Sequence, residues 1–295
     1  MKLVNSAKKS FFCFMVGLLA STGVLSAGLE KIDSINEIET VLKELDSDAL
    51  VVLDIDEVIL TDQDAILRPE GDPLKFKIFN EYFSGAKNQK QMDEIQKILS
   101  LPLILAEKKL VEPEIAQVIR SLQKRKIKVI GLTSSPTQSF GEIEDCEKWR
   151  LEQVRLFGIH FNRSFPSLTR FLLSEMSFDQ IPPPVYNQGI LFTEGFSKAD
   201  VLISFMRKMN VKPSKIVFID DIYRNVKQMD TKLTLKNIPH KAYHYQRVRN
   251  GEPTSLNERI ARFQFEYLFK HKKWLNDRQC QDLLNSEDYD LLNLN

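Results

Sequence analysis

Short unbroken apolar runs, each giving way abruptly to polar or acidic residues, constrain this chain more than any other feature. Leu50-Val51-Val52-Leu53 ends in Asp54-Ile55-Asp56-Glu57, Ile127 to Leu132 stops at Thr133-Ser134-Ser135-Pro136, and Lys215-Ile216-Val217-Phe218-Ile219 runs into Asp220-Asp221. Gly189-Ile190-Leu191-Phe192 is a fourth run of the same kind. Apolar runs without alternation suit strands buried on both faces, the condition inside a parallel sheet. Helical patterns lie between them: Ile115, Val118, Ile119 and Leu122 behind Pro113, an amphipathic stretch from Glu147 to Phe157, and Val201, Leu202, Phe205 and Met209 behind Ser197, which can cap that helix. Strands alternating with helices predict an α/β fold with a parallel sheet covered on both faces. Such sheets bind ligands at the carboxyl ends of their strands, where these polar residues fall.

Several segments lie outside this rhythm. Before the first strand, Ile35, Ile38, Leu42 and Leu45 predict a helix, opened by a capping box between Ser34 and Glu37. From Asp62 to Leu110 there are only helical patterns, among them Phe76, Phe79, Tyr82 and Phe83, then Met92, Ile95, Ile98 and Leu99. This segment, 62–110, is expected to be a small helical cap inserted after the first strand. Residues 164–186, which include three consecutive prolines, read as a long loop or flap that could line a site. After Asp221 come a strand-like run, Lys241 to Val248, and a helix from Leu256 to about Trp274.

At the N-terminus Lys2, Lys8 and Lys9 precede an uncharged stretch from Ser10 to Leu29, with small residues at Ser21, Thr22, Ser26 and Ala27. That order is the order of a secretory signal peptide over residues 1–27, cleaved near Ala27. An uncleaved anchor is the alternative, because the run approaches the ~20 residues that span a bilayer; Gly17, Ser21, Thr22 and Gly23 dilute it. The expectation is an exported protein, periplasmic or secreted, with a domain from 28 to 295 and no stable membrane insertion after cleavage. The whole chain carries 41 basic and 40 acidic residues, and removing 1–27 takes away three lysines and no acids, leaving 38 against 40, a charge of −2. So small a charge provides no global field to draw in nucleic acid or an anionic membrane. Two cysteines remain, Cys146 and Cys280, either one disulfide or two buried thiols. His240 and His244 flank a strand-like stretch and are set aside as metal ligands.

The strand ends together hold what phosphoryl transfer needs: a nucleophile, a proton donor, cation ligands and donors to the equatorial oxygens. Asp54 can attack phosphorus and form an aspartyl phosphate. Asp56, two residues on and on the same side if the strand continues, can protonate the departing oxygen and then activate water. Thr133 can hydrogen-bond a phosphoryl oxygen, Lys198 can neutralise carboxylate and phosphate charge, and Asp220 with Asp221 can hold a divalent cation through hard oxygens.

Val51-Val52-Leu53-Asp54-Ile55-Asp56-Glu57-Val58 resembles the first motif of the haloacid-dehalogenase superfamily. Gly131-Leu132-Thr133, Lys198 and Val217-Phe218-Ile219-Asp220-Asp221 resemble its second, third and fourth motifs, in the same order. Asn187-Gln188-Gly189-Ile190-Leu191-Phe192-Thr193, with the signal segment, looks closest to an uncharacterised group of secreted bacterial members. The resemblance implies a Rossmann-like sheet and Mg²⁺ as the cofactor, held by the Asp54 side chain, the Asp56 backbone carbonyl and an Asp220 carboxylate. Because Asp56 is present, the chain resembles the phosphatases and phosphomutases rather than the dehalogenases; export disfavours a phosphomutase, and the expectation is a phosphatase acting on a phosphorylated substrate, a small phosphomonoester. Ile222-Tyr223-Arg224-Asn225 departs from the pattern, so the further acidic position of some members is Asn225 or Asp221 here. The competing expectation is a secreted binding protein or effector that keeps the fold and catalyses little or nothing.

Overall fold

The structure is a computed structural model that describes residues 29–83, 88–178, 181–250 and 256–286. The signal peptide expected at 1–27 lies outside the described residues, and among them no helix is long and apolar enough to cross a membrane. The described residues form two compact units: those within Met1–Leu60, Leu110–Gln138 and Asp145–Val248 make the first, and those within Thr61–Lys109, Ser139–Glu144 and Arg249–Asn295 the second.

Along the chain the strands are β1 (Leu29–Ile32), β2 (Leu50–Leu53), β3 (Leu60–Asp62), β4 (Lys108–Leu110), β5 (Lys128–Thr133), β6 (Arg170–Leu172), β7 (Val185–Asn187), β8 (Ile190–Phe192), β9 (Ile216–Asp220) and β10 (His240–Tyr245). The fold is α/β, and its central sheet has the order β1-β10-β9-β2-β5-β8-β7-β6. From β1 to β8 every pairing is parallel; β7 and β6 are antiparallel. β3 and β4 pair separately with each other.

The unbroken apolar runs are explained by burial on both faces. Val51 and Leu53 of β2, with Val217 and Ile219 of β9, pack in a core shared with Ile115, Ile119, Leu122, Leu151 and Val154. Leu50 and Val52, with Ile216 and Phe218, face the other way, onto Val201, Leu202, Phe205, Val226 and Met229. Successive strand side chains point to opposite faces, so a strand with helices on both sides has no solvent-facing positions. Each fully buried aliphatic contributes roughly 1.5–3 kcal/mol of transfer free energy. The first core is covered by the helices Ile115–Lys124 and Cys146–Leu156, the second by Lys198–Lys208 and Tyr223–Leu235.

The 164–186 segment is not wholly a loop, because it contains β6 and most of β7. The turn from β7 to β8 has two residues, Gln188 at φ 46° and Gly189 at φ 92°. Paired positive φ values are the demand of a tight hairpin between right-twisted strands. A Cβ at Gly189 would come within 2.4 Å of the Phe161 backbone, so glycine is required on steric grounds too. Buried Glu147 holds this edge to the sheet's helical cover, accepting from Arg170 Nε and Nη2 (both 2.9 Å) and from Asn187 Nδ2 (2.7 Å).

The capping box at Ser34 and Glu37 is present, but it opens a 3-10 turn, Ile35–Ile38, and the α-helix follows only at Glu39–Lys43. Buried Glu112 anchors this entry, accepting from the Ile35 amide (2.7 Å), Ser34 Oγ (2.6 Å) and Tyr245 Oη (2.5 Å).

Apart from the paired β3 and β4, the second unit is helical among the described residues, and it extends beyond the 62–110 segment, where a strand, β4, adds to the expected helices. Its helices are Asp72–Phe83, Gln89–Leu105, Glu258–His271 and Asp277–Leu284. Ile66 and Ile78 pack on Ala261, Phe265 and Leu268, so the C-terminal helix shares a core with the inserted one. Asp64 accepts from Trp274 Nε1 (2.7 Å) and the Asp277 amide (2.9 Å), and burial raises its carboxyl above the usual range. Cys146 in the first unit and Cys280 in the second are both buried free thiols, pushed up by burial to about 11 and about 12.

Candidate active site

β2 and β9 lie side by side, with Leu53 opposite Ile219, so the acidic residues after them emerge together at the carboxyl edge of the sheet. The Asp54 amide donates to Ile219 O at 2.9 Å, and Asp54 Oδ1 accepts from the Ile55 amide at 2.7 Å. Lys198, the first residue of its helix, inserts between the two strand ends, with Nζ 2.6 Å from Asp54 Oδ2 and 2.7 Å from Asp220 Oδ2. All three side chains are buried. Asp220 Oδ1 also accepts from the Ile222 amide (2.8 Å) and from Asn225 Nδ2 (3.1 Å). Asp221 completes the group: carboxylate oxygens of Asp54, Asp220 and Asp221 all lie within 4.8 Å of one another.

Two buried carboxylates on one ammonium, with Asp221 beside them, crowd negative charge at the sheet edge. Burial raises the Asp54 carboxyl well above its ordinary range; Lys198 pulls it back, and Asp220, Asp221 and Asp56 push it up. For Lys198, burial works against the charge, but Asp220 and Asp54 outweigh it and hold the ammonium above the usual lysine range. The arrangement combines a carboxylate with a protected cation beside it and hard oxygen donors to one side, which suits a polyanionic guest or a divalent cation.

Thr133 ends β5, the other neighbour of β2, and is fully buried. Its Oγ1 accepts from the Ser135 amide at 3.1 Å, so its own proton is left to donate elsewhere. Asp56 departs from expectation. β2 stops at Leu53 instead of continuing, and the chain turns tightly: Glu57 has φ 60° and donates its amide to Leu60 O at 2.7 Å. Asp56 therefore owes its orientation not to strand alternation but to Arg150, which donates to both of its oxygens. Ser197 occupies the N-cap position, yet its side chain makes no capping bond, and its buried Oγ has no hydrogen-bond partner.

Sequence reading missed Arg150, Ser135 as its partner, and His244. His244 Nε2 lies 3.0 Å from Asp221 O; since a carbonyl only accepts, Nε2 carries the proton and steadies the acidic turn. The available signal was position alone, His244 standing opposite Asp220 in the β10–β9 register. Glu194 is a further link, its Oε1 accepting from both the amide and the hydroxyl of Thr137, which joins the loops after β5 and β8.

The relatives share this chain along its length. Uncharacterized protein RP296 of Rickettsia prowazekii (strain Madrid E) is 24% identical over 288 residues, covering 97% of this chain and 100% of the relative. An uncharacterized protein of Rickettsia felis (strain ATCC VR-1525 / URRWXCal2) is 25% identical over 268 residues, 86% of each. Uncharacterized protein RC0398 of Rickettsia conorii (strain ATCC VR-613 / Malish 7) is 24% identical over 263 residues, again 86% of each. No solved structure matches. The family model described as "Protein of unknown function (DUF2608)" matches residues 31–281, and the chain belongs to that family.

Proposed function

We propose that this chain is an exported, Mg²⁺-dependent phosphohydrolase of the haloacid-dehalogenase type that cleaves small phosphomonoesters through a phosphoryl group carried on Asp54. On this reading the first unit is the Rossmann-like core and residues 62–110 are its cap. The observation that carries it is Lys198 seated between Asp54 and Asp220 at two adjacent strand ends, with Asp221 beside them. A structural ion pair needs one carboxylate for one ammonium; here two buried carboxylates, Asp54 and Asp220, share Lys198 Nζ, a crowding of negative charge that a bound cation would offset.

Asp54 attacks phosphorus in line, and the P–O bond to the leaving group breaks as the aspartyl phosphate forms. Asp56 gives the departing oxygen its proton, then takes one from the water that attacks the phosphorus and releases Asp54. Thr133 donates to an equatorial oxygen, and Lys198 balances the charge on Asp54 and the phosphoryl group. The donor set fits Mg²⁺, a hard cation with a preference for carboxylate oxygens, and Asp54, the Asp56 carbonyl and Asp220 would hold it. When bound, the cation supplies charge neutralisation at the phosphoryl oxygens.

The test is a hydrolysis screen of the protein against a panel of phosphomonoesters, with Mg²⁺ and with chelator. Turnover only with Mg²⁺ is expected; a flat panel in both conditions would sink the enzyme reading in favour of a binding protein. Two variants sharpen it. Asp56→Asn should slow hydrolysis of alkyl phosphates roughly 10²- to 10⁴-fold, the usual size of a general acid/base effect. The loss should shrink on aryl phosphates, whose leaving groups need little protonation, so equal losses on both would remove Asp56 from that role. Asp220→Asn should shift the Mg²⁺ activation curve further than Asp221→Asn, whose loss should be about 10- to 100-fold, typical of a residue that orients a ligand rather than serving as one. A larger shift in Asp221→Asn would exchange the two assignments.

A further inference from the structure

We infer that Arg150, with Ser135, is the positioning residue for Asp56, setting that carboxylate's orientation before any phosphate ester arrives. The inference rests on the phosphohydrolase reading and adds a residue to it. Asp56 stands where β2 has already ended, and its side chain is 42% exposed. Neither strand geometry nor packing fixes its rotamer. The guanidinium does. Arg150 Nη1 and Nη2 reach the two Asp56 oxygens at 2.9 and 3.0 Å, a fork meeting a carboxylate along both arms.

The fork is itself held from behind. Ser135 Oγ accepts from Arg150 Nε (3.1 Å) and Nη2 (2.8 Å), and Gln153 Oε1 accepts from Nη1 (2.9 Å). Its Cζ lies 4.8 Å from the centre of the Trp149 ring. Only 4% of the Arg150 side chain is exposed, against 42% for Asp56. An exposed arginine–carboxylate pair orders little, because both side chains move and water competes. Here the arginine is enclosed and the carboxylate projects from it, so the buried partner dictates the exposed one. Ser135 belongs to the segment after Thr133, whose Oγ1 accepts the Ser135 amide. The residue that donates to phosphate and the residue that handles the leaving-group proton are thus joined through Ser135 and Arg150. Arg150 is too enclosed to touch substrate and acts through Asp56.

A merely structural arginine and a positioning one differ in what they do to leaving-group dependence. Loss of folded protein lowers the rates on all substrates alike, whereas a misplaced Asp56 slows esters that need a proton more than those that do not. The experiment measures kcat and KM of wild type, Arg150→Ala, Arg150→Lys and Ser135→Ala on an alkyl and an aryl phosphate with Mg²⁺. Arg150→Lys keeps the charge but not the planar fork, and Ser135→Ala removes only the backing, so both remain informative if Arg150→Ala fails to fold. Expected are a 10- to 100-fold fall in kcat on the alkyl ester for Arg150→Ala, typical of a supporting residue, a smaller fall on the aryl ester, and little change in KM. Added guanidinium should restore part of the alkyl rate. In an Asp56→Asn background, Arg150→Ala should not change the alkyl-to-aryl ratio further, as befits residues acting as a unit. Equal losses on both esters without guanidinium rescue, or no loss at all, would overturn the assignment while leaving the phosphohydrolase intact. A wild type that hydrolyses neither ester would overturn both.

Discussion

Asp54→Asn is expected to abolish hydrolysis while making the metal-free protein more stable at neutral pH. The amide has the carboxylate's shape but cannot attack phosphorus, so turnover should fall below about 1% of wild type. The stability gain follows from the crowding at the strand ends. Asp54 is held protonated to higher pH in the fold than in the unfolded chain, first by burial and then by the neighbouring carboxylates. Such a group contributes stability that is complete below the ordinary aspartate range and is lost as pH rises through the raised folded value. Above the ordinary aspartate range wild type therefore carries a penalty that the asparagine variant lacks. Thermal midpoints in chelator across pH 4 to 8 check this: wild type should decline over the window and the variant should stay flatter. Parallel curves, or a lower midpoint for the variant at pH 7, would mean that the Lys198 contact outweighs the crowding.

Lys198→Met should have the largest structural cost of any single change at the site. The ammonium sits 2.6 and 2.7 Å from two buried carboxylates, and removing one partner of a buried ion pair typically costs about 3–5 kcal/mol. Because Asp220 and Asp54 hold the lysine above its ordinary range against the opposing effect of burial, its contribution is complete at neutral pH and is lost only as alkaline pH passes the raised folded value. Denaturant unfolding at pH 7 in chelator should therefore show the full deficit. Lowering the pH should narrow it, since protonated carboxylates no longer need a cation. Activity should vanish with the lysine even where the protein is folded. A deficit under about 1 kcal/mol at pH 7 would mean that water reaches these groups and that the pair is a surface ion pair in energetic terms.

The parallel core could be read from the sequence because burial on both faces writes itself plainly: a strand without polar alternation has only one comfortable place. The same runs placed Asp54, Thr133 and Asp220 at one edge, since residues after parallel strands share an end of the sheet. Lys198 could be placed at a helix start, but not its reach between two carboxylates, which depends on the register of β2 with β9. What the sequence hid was set by contacts between distant segments or by very short elements. β6 and β7 have three residues each, too few for a period to show, and β7 follows three prolines. Gln188-Gly189 was the available turn signal. Arg150 lies among Glu147, Lys148, Glu152 and Arg155 on a charged helix, where an arginine ordinarily faces water. Nothing local distinguishes the one that is buried.

The shared core of the second unit bears on how this chain can be dissected. Because Phe265, Leu268 and Ala261 on the C-terminal helix pack against Ile66 and Ile78, excising residues 62–109 alone would strand that helix with its apolar stripe uncovered. The product would be prone to self-association for reasons unrelated to catalysis, and a loss of activity in it would say nothing about substrate gating. A clean removal has to take residues 139–144 and the segment from 249 onward as well.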